Sequence, residues 1–296
     1  MIKPAFVTAL CTALDDQGNL HDEGFEMQLA DQFQCGIDRF LVGGTMGNMQ
    51  LLRRDTYHRL VDRSIEISNG RAELLVGAGD ASYARTLERI EWLNDKAIDG
   101  IVVLTPYFWK LSQAELTQYF NALADNSRKP LYIYDLPGLT GQDLTLDTYV
   151  ELAKHPNIVG AKISGRLTFA REAMATLGSD FRIIVAEPLL VDVLLKSGIE
   201  DHLDGMFALA PHWTVEIGKA AVAGDWERAS AMQQLLARAQ GLIGKYGGGA
   251  AISALMNARG IPGHFAAAPY GLMTDFDYAK FEAEPVVIEY RKGAIA

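Results

Sequence analysis

Lys162 stands at the end of the apolar run Ile158-Val159-Gly160-Ala161, in a stretch reading Ile158-Val-Gly-Ala-Lys-Ile-Ser-Gly165. Burial disfavours an ammonium ion. A neutral, desolvated amine is what a lysine needs to attack a carbonyl and form a Schiff base. The plainer alternative is a lysine that has left its strand and reaches into water. Tyr132 and Tyr134 alternate along one short run, so both point to the same face of a strand. A phenol on the face that meets Lys162 can relay protons to and from a substrate. Its plainer alternative is a packed core tyrosine. The loop Gly43-Gly44-Thr45-Met46-Gly47 gathers backbone N–H groups and the Thr45 hydroxyl, which suits a carboxylate or phosphate. It lacks the Lys-Ser/Thr of a P-loop, which speaks against a nucleotide phosphate. A plain glycine turn is the alternative.

These groups need a scaffold that brings them together. Short apolar runs at Ala5–Leu10, Arg39–Val42, Glu73–Val76, Gly100–Leu104, Leu131–Tyr134, Ile158–Lys162, Arg182–Val185 and Gly205–Ala208 read as eight strands. Amphipathic stretches alternate with them: Glu23–Gly36 opening on Asp22, Arg54–Asn69, Ser82–Lys96, Ser112–Asn126, Thr145–Lys154, Arg166–Leu177 and Pro188–Ser197. Ser112-Gln-Ala-Glu115 has the form of a capping box. The alternation predicts an α/β fold, a (β/α)8 TIM barrel, with an open doubly wound sheet as the next reading. No G-x-G-x-x-G follows a strand, which lowers dinucleotide binding. Beyond Trp213 the pattern turns helical, with Val215–Ala223, Trp226–Gln240, Gly249–Arg259 and Tyr278–Arg291. The expected layout is a barrel over residues 1–225. A C-terminal helical extension over 226–296 packs on it as one structural unit.

Composition narrows the function classes. Of 296 residues, 49% are hydrophobic and 22% charged, enough apolar material for a sizeable core. The net charge of −10, with no Lys/Arg cluster, argues against nucleic-acid binding. Cys11 and Cys35 form no disulfide framework and no metal spacing, so they read as reduced core thiols of a cytoplasmic protein. The N-terminus does not read as a signal peptide, and no apolar run approaches membrane-span length, so no membrane partner is expected.

In a barrel the active site lies at the C-terminal strand ends. There the chain offers Gly44-Thr-Met-Gly47, Pro106-Tyr-Phe108, Tyr134-Asp-Leu-Pro137 and Gly160-Ala-Lys162, followed later by Asn257-Ala-Arg-Gly-Ile-Pro262. In this order they resemble the dihydrodipicolinate synthase / N-acetylneuraminate lyase family, from about Pro4 to Leu272. The resemblance implies Schiff-base chemistry on pyruvate or another 2-oxo acid. Lys162 matches the lysine that condenses with the C2 carbonyl, and Tyr134 the tyrosine that shuttles protons. Thr45, with the Gly44 and Met46 amides, matches the group that holds the carboxylate. The protein supplies the covalent catalyst, so no metal and no organic cofactor is expected. A homotetramer built from dimers is likewise implied.

Departures from the family pattern bear on the second substrate. Synthases of dihydrodipicolinate carry a second threonine at Met46, a tyrosine reaching a neighbouring subunit at Phe108, and an arginine for the aldehyde's carboxylate at Leu139. An arginine–carboxylate bond is charge-assisted and a leucine does not replace it. Leu139 is similar to the lyase branch. The sialic-acid lyases, however, place an acidic pair and a serine where this chain has Ala186-Glu187-Pro188-Leu189 and Ala208. The segment after Lys162, with Ser164 and Gly165, is one residue shorter than in most members and resembles the 2-keto-3-deoxy-sugar-acid aldolases. Met46, Phe108, Trp109 and Leu139 imply a more apolar pocket and a smaller or aromatic aldehyde, and Tyr107 is a further substrate-binding candidate.

The leading expectation is a class I lyase that cleaves or forms a 2-keto-3-deoxy acid to or from pyruvate and an aldehyde. A 2-keto-3-deoxy sugar acid dehydratase and a 4-hydroxy-tetrahydrodipicolinate synthase use the same imine. A non-catalytic 2-oxo-acid-binding protein is the alternative from another class. Glu187 is a candidate for a substrate hydroxyl, or simply the end of a strand. His212 and His264 sit in loop-like segments, Asp201-His-Leu-Asp204 lacks a dedicated metal arrangement, and Tyr246-Gly-Gly-Gly249 shapes the approach to a late helix.

Overall fold

A computed structural model describes residues 2–270 and 276–293. Eight parallel strands close into a barrel in sequential order, β1 to β8. The strands are β1 Ala5–Ala9, β2 Arg39–Val42, β3 Glu73–Gly77, β4 Gly100–Leu104, β5 Leu131–Asp135, β6 Ile158–Ser164, β7 Arg182–Ala186 and β8 Asp201–Asp204. Helices α1 Asp22–Cys35, α2 Arg54–Ser68, α3 Tyr83–Leu93 and α4 Gln113–Asp125 follow the first four strands. Helices α5 Pro137–Thr140 and α6 Leu146–Leu152 both follow β5. Then come α7 Leu167–Leu177, α8 Val191–Lys196, α9 Met206–Leu209 and α10 Pro211–Ala223. The C-terminal helices are α11 Trp226–Tyr246, α12 Gly248–Ala258, α13 Tyr278–Glu282 and α14 Pro285–Arg291. The predicted TIM barrel with C-terminal helices is the observed fold.

Internal contacts divide the chain into two compact units. One comprises residues 73–187 and 201–203, and so holds β3 to β7. Its strands are in register: Leu104 with Tyr134, Tyr134 with Lys162, and Ser164 with Ala186. The inward layer at the strand starts carries Tyr132, and Gly160 lies beside it. A Cβ on Gly160 would stand 2.4 Å from the Arg182 carbonyl oxygen and 2.9 Å from the Tyr132 ring, so only glycine admits that ring. Arg182 pairs with Asp201 and Glu73 at the same level.

The other unit comprises residues 1–72, 188–200 and 204–296. Here β1 pairs with β2 through Thr8–Phe40 and Ala9–Leu41. Its core is tied by buried polar side chains. Gln28 makes two bonds to the Cys11 backbone, each 2.9 Å. Gln32 accepts from Thr8 Oγ1 at 2.8 Å and donates to the Phe207 and Ala208 carbonyls. Arg259 on α12's C-terminal side forks onto Asp31 of α1, with both side chains buried. Cys11 and Cys35 are free thiols, and burial pushes Cys11 up to about 12.

Several boundaries differ from the sequence expectation. The eighth strand is Asp201–Asp204, whereas Gly205–Ala208 runs into the one-turn helix α9. The acidic segment becomes a strand because Arg182 neutralises Asp201 and because His202 and Leu203 are buried. The Asp204 carboxylate then accepts the Met206 amide at 2.8 Å and starts the turn. His21, not Asp22, caps α1, its Nδ1 accepting from the Gly24 amide. The predicted helix Tyr278–Arg291 divides at Pro285, which has no N–H to continue it. The Ser112–Glu115 capping box forms as predicted. Among the described residues, no helix is long and apolar enough to cross a membrane.

Candidate active site

Two neighbouring strands place the candidate catalytic pair. The register joins Tyr134 of β5 to Lys162 of β6, and paired residues of a parallel sheet point to the same side. Lys162 Nζ donates to the Tyr134 hydroxyl at 3.0 Å. The same nitrogen lies 4.1 Å from the Tyr134 ring centroid. Lys162 is 5% exposed and Tyr134 6%. Lys162 therefore stays in its strand, and the alternative of a lysine reaching into water is set aside. A buried amine within hydrogen-bond reach of a buried phenol has the geometry of a nucleophile beside its proton relay.

Along β6 the next residue on this face is Ser164, opposite Ala186 of β7. Both are buried, and Ser164 Oγ has no hydrogen-bond partner among the described residues. An orphan hydroxyl one layer beyond Lys162 is suited to a polar group on an incoming molecule. The structure thus brings Lys162, Tyr134, Ser164 and Ala186 together. Glu187 follows directly, half-buried.

The loop after β4 and the short helix after β5 present an apolar set. Phe108 is 85% exposed, Trp109 74% and Leu139 69%. Phe108 and Trp109 meet edge to face, with ring centroids 5.5 Å apart. Phe108 has φ +87°, a conformation costing a non-glycine residue about 1–3 kcal/mol and typical of functional segments. Gln142, which the sequence reading passed over, braces this loop. Its side chain accepts from the Leu111 amide at 2.5 Å and donates to the Pro106 carbonyl. Tyr107 belongs elsewhere. Its phenol lies by the Ala81 backbone and the Asp80, Arg85 and Arg89 charges, and burial, with Asp80 adding, holds it above the usual phenol range.

Asp135 and Arg166 were also missed, although Asp135 sits inside the Tyr134-Asp-Leu-Pro137 motif. They form a 2.6 Å ion pair, with the Asp135 side chain fully buried. Burial pushes the Asp135 carboxyl up to about 6, against the opposing pull of Arg166 and Tyr149.

In the other unit, the Gly43–Gly47 loop is a pinned turn. Thr12 Oγ1 donates to the Gly47 carbonyl at 2.6 Å, and Asn48 bonds the Thr45 and Met46 carbonyls at 3.0 Å each. Gly43 has φ +63°, which starts the turn. Thr45 and Met46 are half-buried and Gly44 buried. The Met46 side chain covers the Cα of Gly205, just after β8. Ala208 is fully buried on α9, with its carbonyl taken by Gln32.

The weaker candidates have structural partners. His212 bonds Arg259 at 3.0 Å, and burial together with Arg259 holds it near pKa 3. His264 meets Asp16 on the surface. Tyr246 bonds Glu284 and ends α11. Among the described residues, no group of three His, Cys, Asp or Glu side chains is arranged to hold a metal.

Fold and site together define an eight-stranded α/β-barrel enzyme whose buried lysine is hydrogen-bonded to a tyrosine. The chain belongs to the dihydrodipicolinate synthetase family, which it matches over residues 4–284. It is 30% identical over 227 residues to a 4-hydroxy-tetrahydrodipicolinate synthase from an Exiguobacterium species, covering 76% of this chain and 78% of that one. The dihydrodipicolinate synthase of Acinetobacter baumannii, solved with pyruvate, superposes with TM-score 0.85 at 22% identity over 99% of each chain. A 2-keto-3-deoxygluconate aldolase variant from Sulfolobus solfataricus superposes with TM-score 0.86 at 19% identity, covering 98% of this chain and 96% of that one. At such identities the superpositions speak for the fold alone.

Proposed function

We propose that this protein is a Schiff-base-forming, pyruvate-dependent lyase, best read as an aldolase for a 2-keto-3-deoxy acid. The observation that carries the reading is the buried Lys162–Tyr134 hydrogen bond of 3.0 Å. The Lys162 amine adds to the C2 carbonyl of the keto acid, giving a carbinolamine. Loss of water, with Tyr134 moving the protons, leaves the imine. A base removes the C4 hydroxyl proton, the C3–C4 bond breaks, and its electron pair enters the iminium to give an enamine and an aldehyde. Protonation at C3 and hydrolysis then free pyruvate and Lys162. Thr45 and the Gly44 and Met46 amides hold the carboxylate in this reading, by likeness to the family motif. Ser164, Glu187, Ala186, Phe108 and Leu139 shape the aldehyde half, whereas Ala208, fully buried against Gln32, does not.

The imine is formed by the protein's own lysine, so the reading calls for no metal or organic cofactor. We place the enzyme in the cytoplasm and assign it a homotetramer. The exposed Phe108, Trp109 and Leu139 support association between copies. Residues 1–225 are read as the barrel and 226–296 as its helical extension.

One observation favours a second reading. Curated relatives carry the name 4-hydroxy-tetrahydrodipicolinate synthase. Leu139 stands against it, because the aldehyde's carboxylate would lack its arginine. A dehydratase of 2-keto-3-deoxy sugar acids would use the same imine and expel a hydroxyl. Borohydride trapping with pyruvate, followed by intact mass and peptide mapping, tests the shared step: a reduced pyruvyl adduct on Lys162 is expected. Product analysis then divides the readings, since free pyruvate plus an aldehyde marks the aldolase and a retained carbon chain the dehydratase. A protein that binds pyruvate without an adduct or turnover is a binding protein.

A further inference from the structure

Asp135 follows Tyr134 on β5, so its side chain takes the opposite face of the sheet. Its Oδ2 accepts from Arg166 Nη1 at 2.6 Å and from the Tyr149 hydroxyl at 3.3 Å. The same Nη1 donates to the Leu144 carbonyl at 3.0 Å, and Nη2 lies 3.5 Å from Asp143. The guanidinium carbon stacks 3.8 Å over the Phe169 ring. Asp135 Oδ1 is buried with no partner among the described residues. The charged and titratable groups facing this carboxyl are therefore Arg166 from the β6–α7 junction, Asp143 from the loop before α6, and Tyr149 from α6 itself.

This pair is a poor stabiliser. Burial outweighs the attraction of Arg166, and the carboxyl titrates near 6. A folded-state value above the unfolded one means the native state binds more protons in the window from about 4 to 6. Stability contributed by protonated Asp135 is present at the acid end and lost as pH rises through 6. Above that window the fold carries a buried carboxylate that opposes stability, with one oxygen unsatisfied.

The geometry supplies another role. Arg166 lies four residues after Lys162, beyond Gly165 at φ +70°. By gripping Asp135 it ties the chain leaving β6 to the end of β5. By gripping Leu144 it also holds the loop behind α5, which carries Leu139. The two strand ends so joined are those whose inward residues are Lys162 and Tyr134.

We propose that the Asp135–Arg166 pair is a positioning device for the Lys162–Tyr134 couple, and that its ionised form is the working one. The proposal rests on the site described above for the lyase reading. Both residues act through others and touch no substrate.

The test compares wild type, Asp135→Asn and Arg166→Lys at pH 5 to 8. One readout is reductive methylation of Lys162 by formaldehyde and cyanoborohydride, mapped by peptide mass. It needs no assumption about substrate. The second is pyruvate trapping, and the third is thermal stability. At pH 8 Asp135→Asn is expected to slow both Lys162 reactions about tenfold or more, the scale of a small misplacement, while melting no lower than wild type. The gap to wild type should close below pH 6, where wild-type Asp135 is itself protonated. Arg166→Lys keeps the charge without the planar fork and should recover only part of the rate. Unchanged Lys162 reactivity in Asp135→Asn at pH 8 overturns the proposal. So does an Asp135→Asn protein that melts lower or fails to fold, because the pair would then be structural. Wild type that is methylated but traps no pyruvate would sink the lyase reading alone.

Discussion

Met46 lies across the bare Cα of Gly205. A Cβ there would stand 2.5 Å from Met46 Cγ and 2.7 Å from its Sδ. The turn after β2 and the residue after β8 are thereby fitted to one another, and a side chain at 205 would have to displace Met46. Gly205→Ala should cost about 1–3 kcal/mol by overpacking. In a Met46→Ala background the same change should cost well under half of that, which a double-mutant cycle in urea reads directly. Equal costs in both backgrounds would mean that Met46 is free to swing away.

Removing the proposed nucleophile separates binding from chemistry. Lys162→Ala should give no pyruvate adduct after borohydride and no turnover. Tyr134→Phe keeps the amine and loses the hydroxyl that receives its hydrogen bond. Turnover should fall roughly 10²–10⁴-fold, the usual worth of a positioned acid/base, while a slow adduct still forms on Lys162. An adduct on another lysine would send the assignment elsewhere.

Leu139 is where the synthase and aldolase readings part. It is exposed on α5, with room for a longer side chain. If the missing arginine is what excludes a carboxylate-bearing aldehyde, Leu139→Arg should lower KM for such an aldehyde. The expected gain is about tenfold or more, since a bond to a charged group contributes about 1.5–3 kcal/mol. KM for pyruvate should stay put. Wild-type turnover of that aldehyde equal to the variant's would return the synthase to first place.

Two groups, Asp135 buried and His212 half-buried, set opposite acid responses. His212 is held near 3, below its unfolded value, by burial and Arg259. Its contribution is present above about pH 6.5 and lost as pH falls toward 3. Asp135 titrates near 6 and acts in the reverse sense below that value. Denaturant unfolding from pH 4 to 7 should show the His212→Gln protein losing less stability on acidification than wild type. Asp135→Asn should lose more.

The Arg259–Asp31 fork joins α12's C-terminal side to α1 with both side chains buried. Breaking it one-sidedly with Asp31→Ala should cost about 3–5 kcal/mol, because Arg259 is left as an uncompensated buried charge. Chemical denaturation measures this. A loss below 1 kcal/mol would mean that water reaches the guanidinium.

The amino-acid sequence by itself determined the class of this protein. The alternation of short apolar runs with amphipathic stretches predicted the barrel. Lys162 after Ala161 and Tyr134 after Ile133 were readable as a pair because each lies at the end of a local apolar run. The Ser112–Glu115 box was readable for the same reason: its partners are three residues apart. Tertiary structure decided the rest, wherever the partner is remote in sequence. Asp201-His-Leu-Asp204 is a strand because Arg182 lies beside it, and nothing within the four residues announces that. Tyr107 turns to Asp80 and Arg89, and Met46 settles on Gly205, across 159 residues of chain. The same holds for Asp135, an unremarked letter of a motif until the fold sets Arg166 against it. Periodicity and capping act over one or two turns. Burial and charge pairing act between whichever strands the barrel makes neighbours, so their consequences appear only once it has closed.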